Sequence, residues 1–172
     1  ISRQDMARFI HRMFVPTGMA AAGVTAVPAF TDTAHVTADG LAAISALASH
    51  KITLGTTATT FSPDSNVTRA QMASFLSRFA DIAKDHQATA TAIVSTKTTG
   101  TYNYTDITGT TFEEMESIVR LYNLGVHGTC VVTAAGGGCP STYRPNDDIT
   151  RAEMASMLTN LLNHTNARPA GV

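Results

Sequence analysis

ISRQDMARFIHRMF at residues 1–14, VTRAQMASFLSRFA at 67–80 and ITRAEMASMLTNLL at 149–162 are one phrase written three times. Each copy opens on Ile or Val, then Ser or Thr, then Arg, and a Met-Ala pair follows shortly after. Ser2, Thr68 and Thr150 stand where a hydroxyl can accept from an orphan amide one turn into a helix. Gln71 and Glu153 lie at capping-box spacing from their caps, with Asp5 a shorter substitute. The apolar residues then recur at helical spacing: Met6, Phe9, Ile10, Met13; Met72, Phe75, Leu76, Phe79; Met154, Met157, Leu158, Leu161. One helix cannot bury such a stripe alone, so the pattern predicts three equivalent helices packed face to face.

The flanks of the phrase repeat as well. Phe30-Thr-Asp32 matches Tyr104-Thr-Asp106, while Leu41, Ile44 and Leu47 match Met115, Ile118 and Leu121. Phe61 and Pro63 match Tyr143 and Pro145, and the later unit carries eight residues more between its two helices. A full unit therefore reads as an aromatic-Thr-Asp turn, an amphipathic helix, a loop with a tight Gly, an aromatic-x-Pro segment, and the capped helix. This divides one domain, 1–172, into a last helix of repeat 1 (1–14), repeat 2 (30–83) and repeat 3 (104–164). The connectors 15–29 and about 84–103 are rich in small residues and Thr, without helical periodicity.

The pattern FTD…LAAISAL…KITLG…FSPDSNVTRAQMASFLSRF resembles an S-layer homology (SLH) repeat, and the third unit is similar over its whole length. The resemblance implies an all-α, mainly helical fold: a pseudo-threefold SLH-type bundle with long connecting loops. It further implies a non-catalytic, extracellular module of the bacterial cell surface, holding its carrier non-covalently on anionic cell-wall polysaccharide. In that family the ligand grooves lie between repeats and use the Arg of the capped phrase. Carried onto this chain, those residues are Arg3, Arg69 and Arg151, with Asp32 and Asp106 of the aromatic-Thr-Asp turns counted beside them. Charge physics agrees with the Arg assignment, because a guanidinium beside a helix N-terminus can hold a carboxylate in two bonds.

The chain departs from the family at one place. It has no Trp, and Asp39 and Glu113 stand near the positions where the family's groove-lining Trp is usual. A carboxylate there repels an acidic ligand instead of stacking on a sugar ring. A second reading therefore stands beside anchoring: a self-assembling subunit of a surface layer or extracellular filament, with copies of itself as partners.

Composition bounds the rest. The 172 residues are 44% hydrophobic with a formal net charge of -1, long enough for one real core. The near-neutral balance argues against nucleic acid, and no apolar run reaches membrane-spanning length, so membrane insertion is not expected. Cys130 and Cys139 flank the glycines 136–138 and can close a small ring; a disulfide there implies an oxidising compartment. Two free thiols or half a metal site are the alternatives, but no second Cys or His pair sits at ligand spacing, so no metal is expected. Three Asn-x-Thr triplets, at Asn66, Asn103 and Asn163, are common in a Thr-rich chain. Asp64-Ser-Asn66 and Asn146-Asp147-Asp148 are better explained by turn and cap chemistry than by Ca²⁺. The six histidines show no metal pattern, and neither a nucleophile elbow nor a phosphate loop occurs, so neither enzyme activity nor a cofactor is expected.

Overall fold

The computed structural model describes residues 1–19, 30–85, 102–126 and 140–163. Among the described residues five α-helices follow in order: α1 (Arg3–Arg12), α2 (Ala38–Ser49), α3 (Arg69–Asp85), α4 (Phe112–Asn123) and α5 (Arg151–Asn163). Among the described residues no strand forms, only two isolated bridges, Ser2 with Asn66 and Thr68 with Asp148. The fold is all-α. Cys130 and Cys139 lie outside the described residues, as do Asn163's downstream neighbours.

The three phrases start as their hydroxyls dictate. Ser2 Oγ accepts from the Asp5 amide at 3.3 Å, and Thr68 Oγ1 from Gln71 at 3.2 Å. Thr150 and Glu153 form a reciprocal box: the Glu153 amide reaches Thr150 Oγ1 at 3.1 Å, and Thr150's amide reaches Glu153 Oε2 at 3.0 Å. The first helices of the two full units are capped too, by Thr37 and by a Thr111–Glu114 box.

Where α2 and α4 end, the chain turns each time through the same Schellman arrangement. Ile52 donates to Leu47 O and Val126 to Leu121 O, both at 2.8 Å. This turn needs a left-handed residue, which is Gly125 (φ 69°) in one unit and Lys51 (φ 57°) in the other.

The phrase starts meet in a closed ring of backbone bonds. Val67 N donates to Ile1 O at 3.0 Å, and Ile149 N to Val67 O at 2.9 Å. The Ile1 nitrogen completes the cycle on Ile149 O at 3.1 Å. This ring marks the pseudo-threefold axis. Around it α1 and α3 pass their first orphan amides to the following unit's loop: Arg3 and Gln4 to Ser65 O and Pro63 O, Arg69 and Ala70 to Asp147 O and Pro145 O.

The apolar stripes of all three phrases are buried in one cluster, with Met6, Ile10, Met72, Leu76, Phe79 and Leu161 wholly so, and only Phe9 half-buried against it. The helix pairing differs from face-to-face packing of the three phrases. The close pairs are α1 with α2 and α3 with α4, while α3 meets α5 more lightly. The reason is geometric: α1 and α3 are each flanked by the first helix of the next unit, α2 and α4, so the phrases meet at their starts and through core contacts such as Phe14 with Phe79 at 6.0 Å.

Candidate functional site: a groove over Arg3

The aromatic-Thr-Asp and aromatic-x-Pro motifs explain each other. Asp32 accepts from the amides of Phe61 (2.9 Å) and Ser62 (2.8 Å), and Asp106 from those of Tyr143 (2.8 Å) and Arg144 (2.7 Å). Each carboxylate thus clamps a turn whose middle residue is left-handed, Ser62 at φ 57° and Arg144 at φ 58°. Burial works to raise the Asp32 pKa, but the Phe61 and Ser62 amides outweigh it and hold the carboxyl below its ordinary range. Both predicted aspartates are therefore occupied with backbone.

The clamped turn presents a carbonyl and a ring to the phrase Arg. Arg3 Nε donates to Phe61 O at 2.8 Å, and Arg69 Nε to Tyr143 O at 2.6 Å. The Arg3 guanidinium lies 5.0 Å over the Phe61 ring and 5.3 Å over Phe75; that of Arg69 lies 4.7 Å over Tyr143. Both are buried, at 3% and 1% exposure. Burial lowers the Arg3 pKa, partly offset by Asp32, yet arginine remains a cation. Burial likewise pushes the Tyr143 hydroxyl well above its ordinary value and that of Tyr104 up to about 12, so both stay neutral donors.

The two buried arginines then part. Arg69 Nη1 donates to Glu153 Oε1 at 2.6 Å, and the same oxygen takes Arg144 Nη2 at 2.9 Å. Burial would raise the Glu153 pKa, but Thr150's amide and hydroxyl, with the two guanidinium groups, bring it below the usual carboxylate range. For Arg3 the equivalent position holds Gln71, a neutral residue. Among the described residues no carboxylate is bonded to the Arg3 guanidinium. Arg151 differs again: it is exposed, with its guanidinium 5.2 Å over the Phe9 ring.

Arg3 forms part of the floor of a groove of about 670 Å³. Its walls are the loop Leu54-Gly55-Thr56, the α3 residues Gln71, Ser74, Phe75 and Arg78, and the start of α4, with Thr111, Glu113 and Glu114. Ser74 is 7% exposed, and among the described residues its hydroxyl has no hydrogen-bond partner. Arg78 donates to Ile52 O at 3.1 Å and is ion-paired with Glu113 across the groove. A buried cation without a bonded carboxylate, beside an unused hydroxyl, suits the oxygens of an anion.

Of the five predicted ligand residues, only Arg3 lines this groove. The neighbouring joint, between α1 and α2, is filled where this one is open. Arg8 occupies the position equivalent to Ser74, and donates to Asp5 at 2.8 Å and Thr37 at 2.7 Å, with Nε 3.3 Å from Asp39. A Cβ on Gly40 would sit 2.7 Å from Arg8 Nη2, so that glycine makes room for the plug. Ser74, Arg78 and the 54–56 loop were not predicted as site residues. The signal lies in the differences between repeats, Ser74 against Arg8 and Gln71 against Glu153, rather than in what the repeats share.

Among the described residues no helix is long and apolar enough to cross a membrane, and no group of three metal-ligating side chains occurs. The family model of the S-layer homology domain matches residues 29–73 and 138–155. These stretches run from the Phe30 turn into α3 and from the Tyr143 turn into α5, covering both Asp-clamped turns and two of the three phrase arginines. S-layer homology domains are non-catalytic, cell-surface anchoring modules that bind cell-wall polymer. No curated protein matches the chain.

Proposed function

We propose that this S-layer homology-type domain anchors its carrier at the extracellular cell surface by holding an acidic group of a cell-wall polysaccharide in the groove over Arg3. One observation carries the reading: among the described residues, the buried Arg3 guanidinium has no bonded carboxylate and the Ser74 hydroxyl beside it no partner, in a groove of about 670 Å³. That volume lies inside the range of natural ligand sites. Gln71, Thr56 and Thr111 supply neutral hydrogen-bonding groups for sugar hydroxyls, and Phe75 and Leu54 an apolar face. The missing Trp is thus offset in part by Phe75. Arg69 serves the same architecture as an internal ion pair, and Arg151 stands at the surface.

Co-sedimentation with purified cell walls tests this. Wild-type protein should pellet with intact walls and stay soluble once their secondary polymers are extracted. Ser74→Arg copies Arg8 of the filled joint and should abolish pelleting while the helical signal and melting temperature persist. Pelleting that survives the plug, or that survives extraction, overturns the reading.

One feature favours self-assembly as a second reading. Ala152, Ala155, Ser156 and Thr159 are exposed on α5, whereas Ala70, Ala73, Ser74 and Ser77 at the equivalent places of α3 are buried where α4 packs. Ordered assemblies of pure protein without walls, seen by analytical ultracentrifugation and electron microscopy, would establish it.

A further inference from the structure

The groove is charged unevenly from floor to rim. At the floor stands Arg3, a buried cation with no carboxylate bonded to it among the described residues, next to Ser74. At the rim the first turn of α4 brings Glu113 and Glu114 opposite one cation, Arg78. Arg78 is tethered by Ile52 O at 3.1 Å and already faces Glu113. Glu114 Oε2 is taken by the amide and hydroxyl of Thr111, which leaves its charge in place. The rim therefore carries one negative charge in excess, and the floor one positive charge. Glu113 lines the groove and is 54% exposed on its side chain, so its carboxylate keeps lone pairs open to solvent.

We infer that the groove's ligand is a dipolar saccharide, with a carboxylate on the sugar against Arg3 and Ser74 and a free, protonated amine on the next sugar beside Glu113. The inference rests on the anchoring role proposed for this groove and specifies its ligand. A uniformly acidic polymer meets Arg3 favourably but puts its next charge against Glu113 and Glu114, where like charges repel. An N-acetylated sugar is neutral at the rim and gains nothing from Glu113. An ammonium gains an ion pair there and complements the rim's excess charge. Glu113 is then a specificity-determining residue, standing near the position where the family's Trp is usual.

The probe is the disaccharide of glucuronic acid linked to glucosamine, free-amine against N-acetylated, titrated calorimetrically into the chain at low salt. At pH 6 an amine of this kind is protonated. The free-amine form should bind about three- to five-fold tighter, the size of one partly exposed charge pair. Glu113→Gln should remove that preference while both forms still bind. Ser74→Arg should abolish both, with Gln71→Glu as a second groove variant if the first does not fold. Equal affinities, or a preference that persists in Glu113→Gln, overturn the dipolar ligand; loss of both forms in Ser74→Arg then leaves the groove reading intact. No binding of either form, with wall pelleting still blocked by the plug, also overturns the dipolar ligand alone. No binding of either form, with pelleting indifferent to the plug, overturns both.

Discussion

Arg69 donates from Nη1 to Glu153 Oε1 at 2.6 Å, and this one bond separates it from Arg3, whose counterpart of Glu153 is the neutral Gln71. The two arginines share their helix position, their carbonyl partner and their aromatic seat. Arg69 is closed upon itself as structure, while Arg3 keeps its charge available to the groove.

Gln71→Glu should make Arg3 resemble Arg69. A carboxylate at this position neutralises the floor, and wall binding should weaken at least about five-fold, equivalent to ~1 kcal/mol. Pelleting titrations measure it, and the melting temperature should hold or rise.

Arg69 and Arg151 occupy the same word of the phrase yet should respond differently to loss. Arg69→Met leaves Glu153 and the Tyr143 carbonyl short of a buried donor, a loss of about 3 kcal/mol. Arg151→Ala, on an exposed side chain, should change stability by less than about 0.5 kcal/mol. Urea unfolding of both variants decides it; comparable losses would remove the distinction drawn here.

Lys51 adopts φ 57° where the other unit has Gly125. A left-handed residue with a Cβ costs about 1 kcal/mol, so Lys51→Gly should raise the melting temperature by about 2–4 °C. Gly125→Ala has free space around its added carbon and should lower stability by about 1 kcal/mol through the backbone alone.

Asp32 holds two amides, and Asp32→Ala leaves both without that acceptor, at a cost of about 2 kcal/mol. The same clamp sets the acid response. Asp32 and Glu153 both have folded-state pKa values lowered from 3.8 and 4.5 respectively. Their stabilisation is thus complete above those values and is lost as pH falls below them toward the folded values. Thermal melts should be flat on this account near pH 6 and fall steeply below about pH 4. The fall should be shallower in Asp32→Ala, which has one such carboxylate fewer.

Much of the architecture was readable from the sequence. The repeated starts, a Ser or Thr followed three residues on by Asp, Gln or Glu, and the i, i+3, i+4 stripes set α1, α3 and α5, because capping and amphipathicity act within a few residues of chain. The offsets between Phe30 and Tyr104, and between Phe61 and Tyr143, revealed the units. What Asp32 and Asp106 do was not readable: they look like candidate ligand residues until the fold brings the Phe61 and Tyr143 amides onto them across about thirty residues of chain.

The site divides in the same way. The sequence by itself determined that three equivalent arginines begin three equivalent helices. Only the tertiary structure decided that one is buried without a bonded carboxylate, one is buried and neutralised, and one lies at the surface. Charge and burial are set by neighbours from other units: Gln71 or Glu153 beside the guanidinium, Ser74 or Arg8 in the joint, Glu113 facing Arg78. Repetition fixes what each unit has in common, whereas a groove forms where the units, brought together around the Ile1–Val67–Ile149 ring, fail to match.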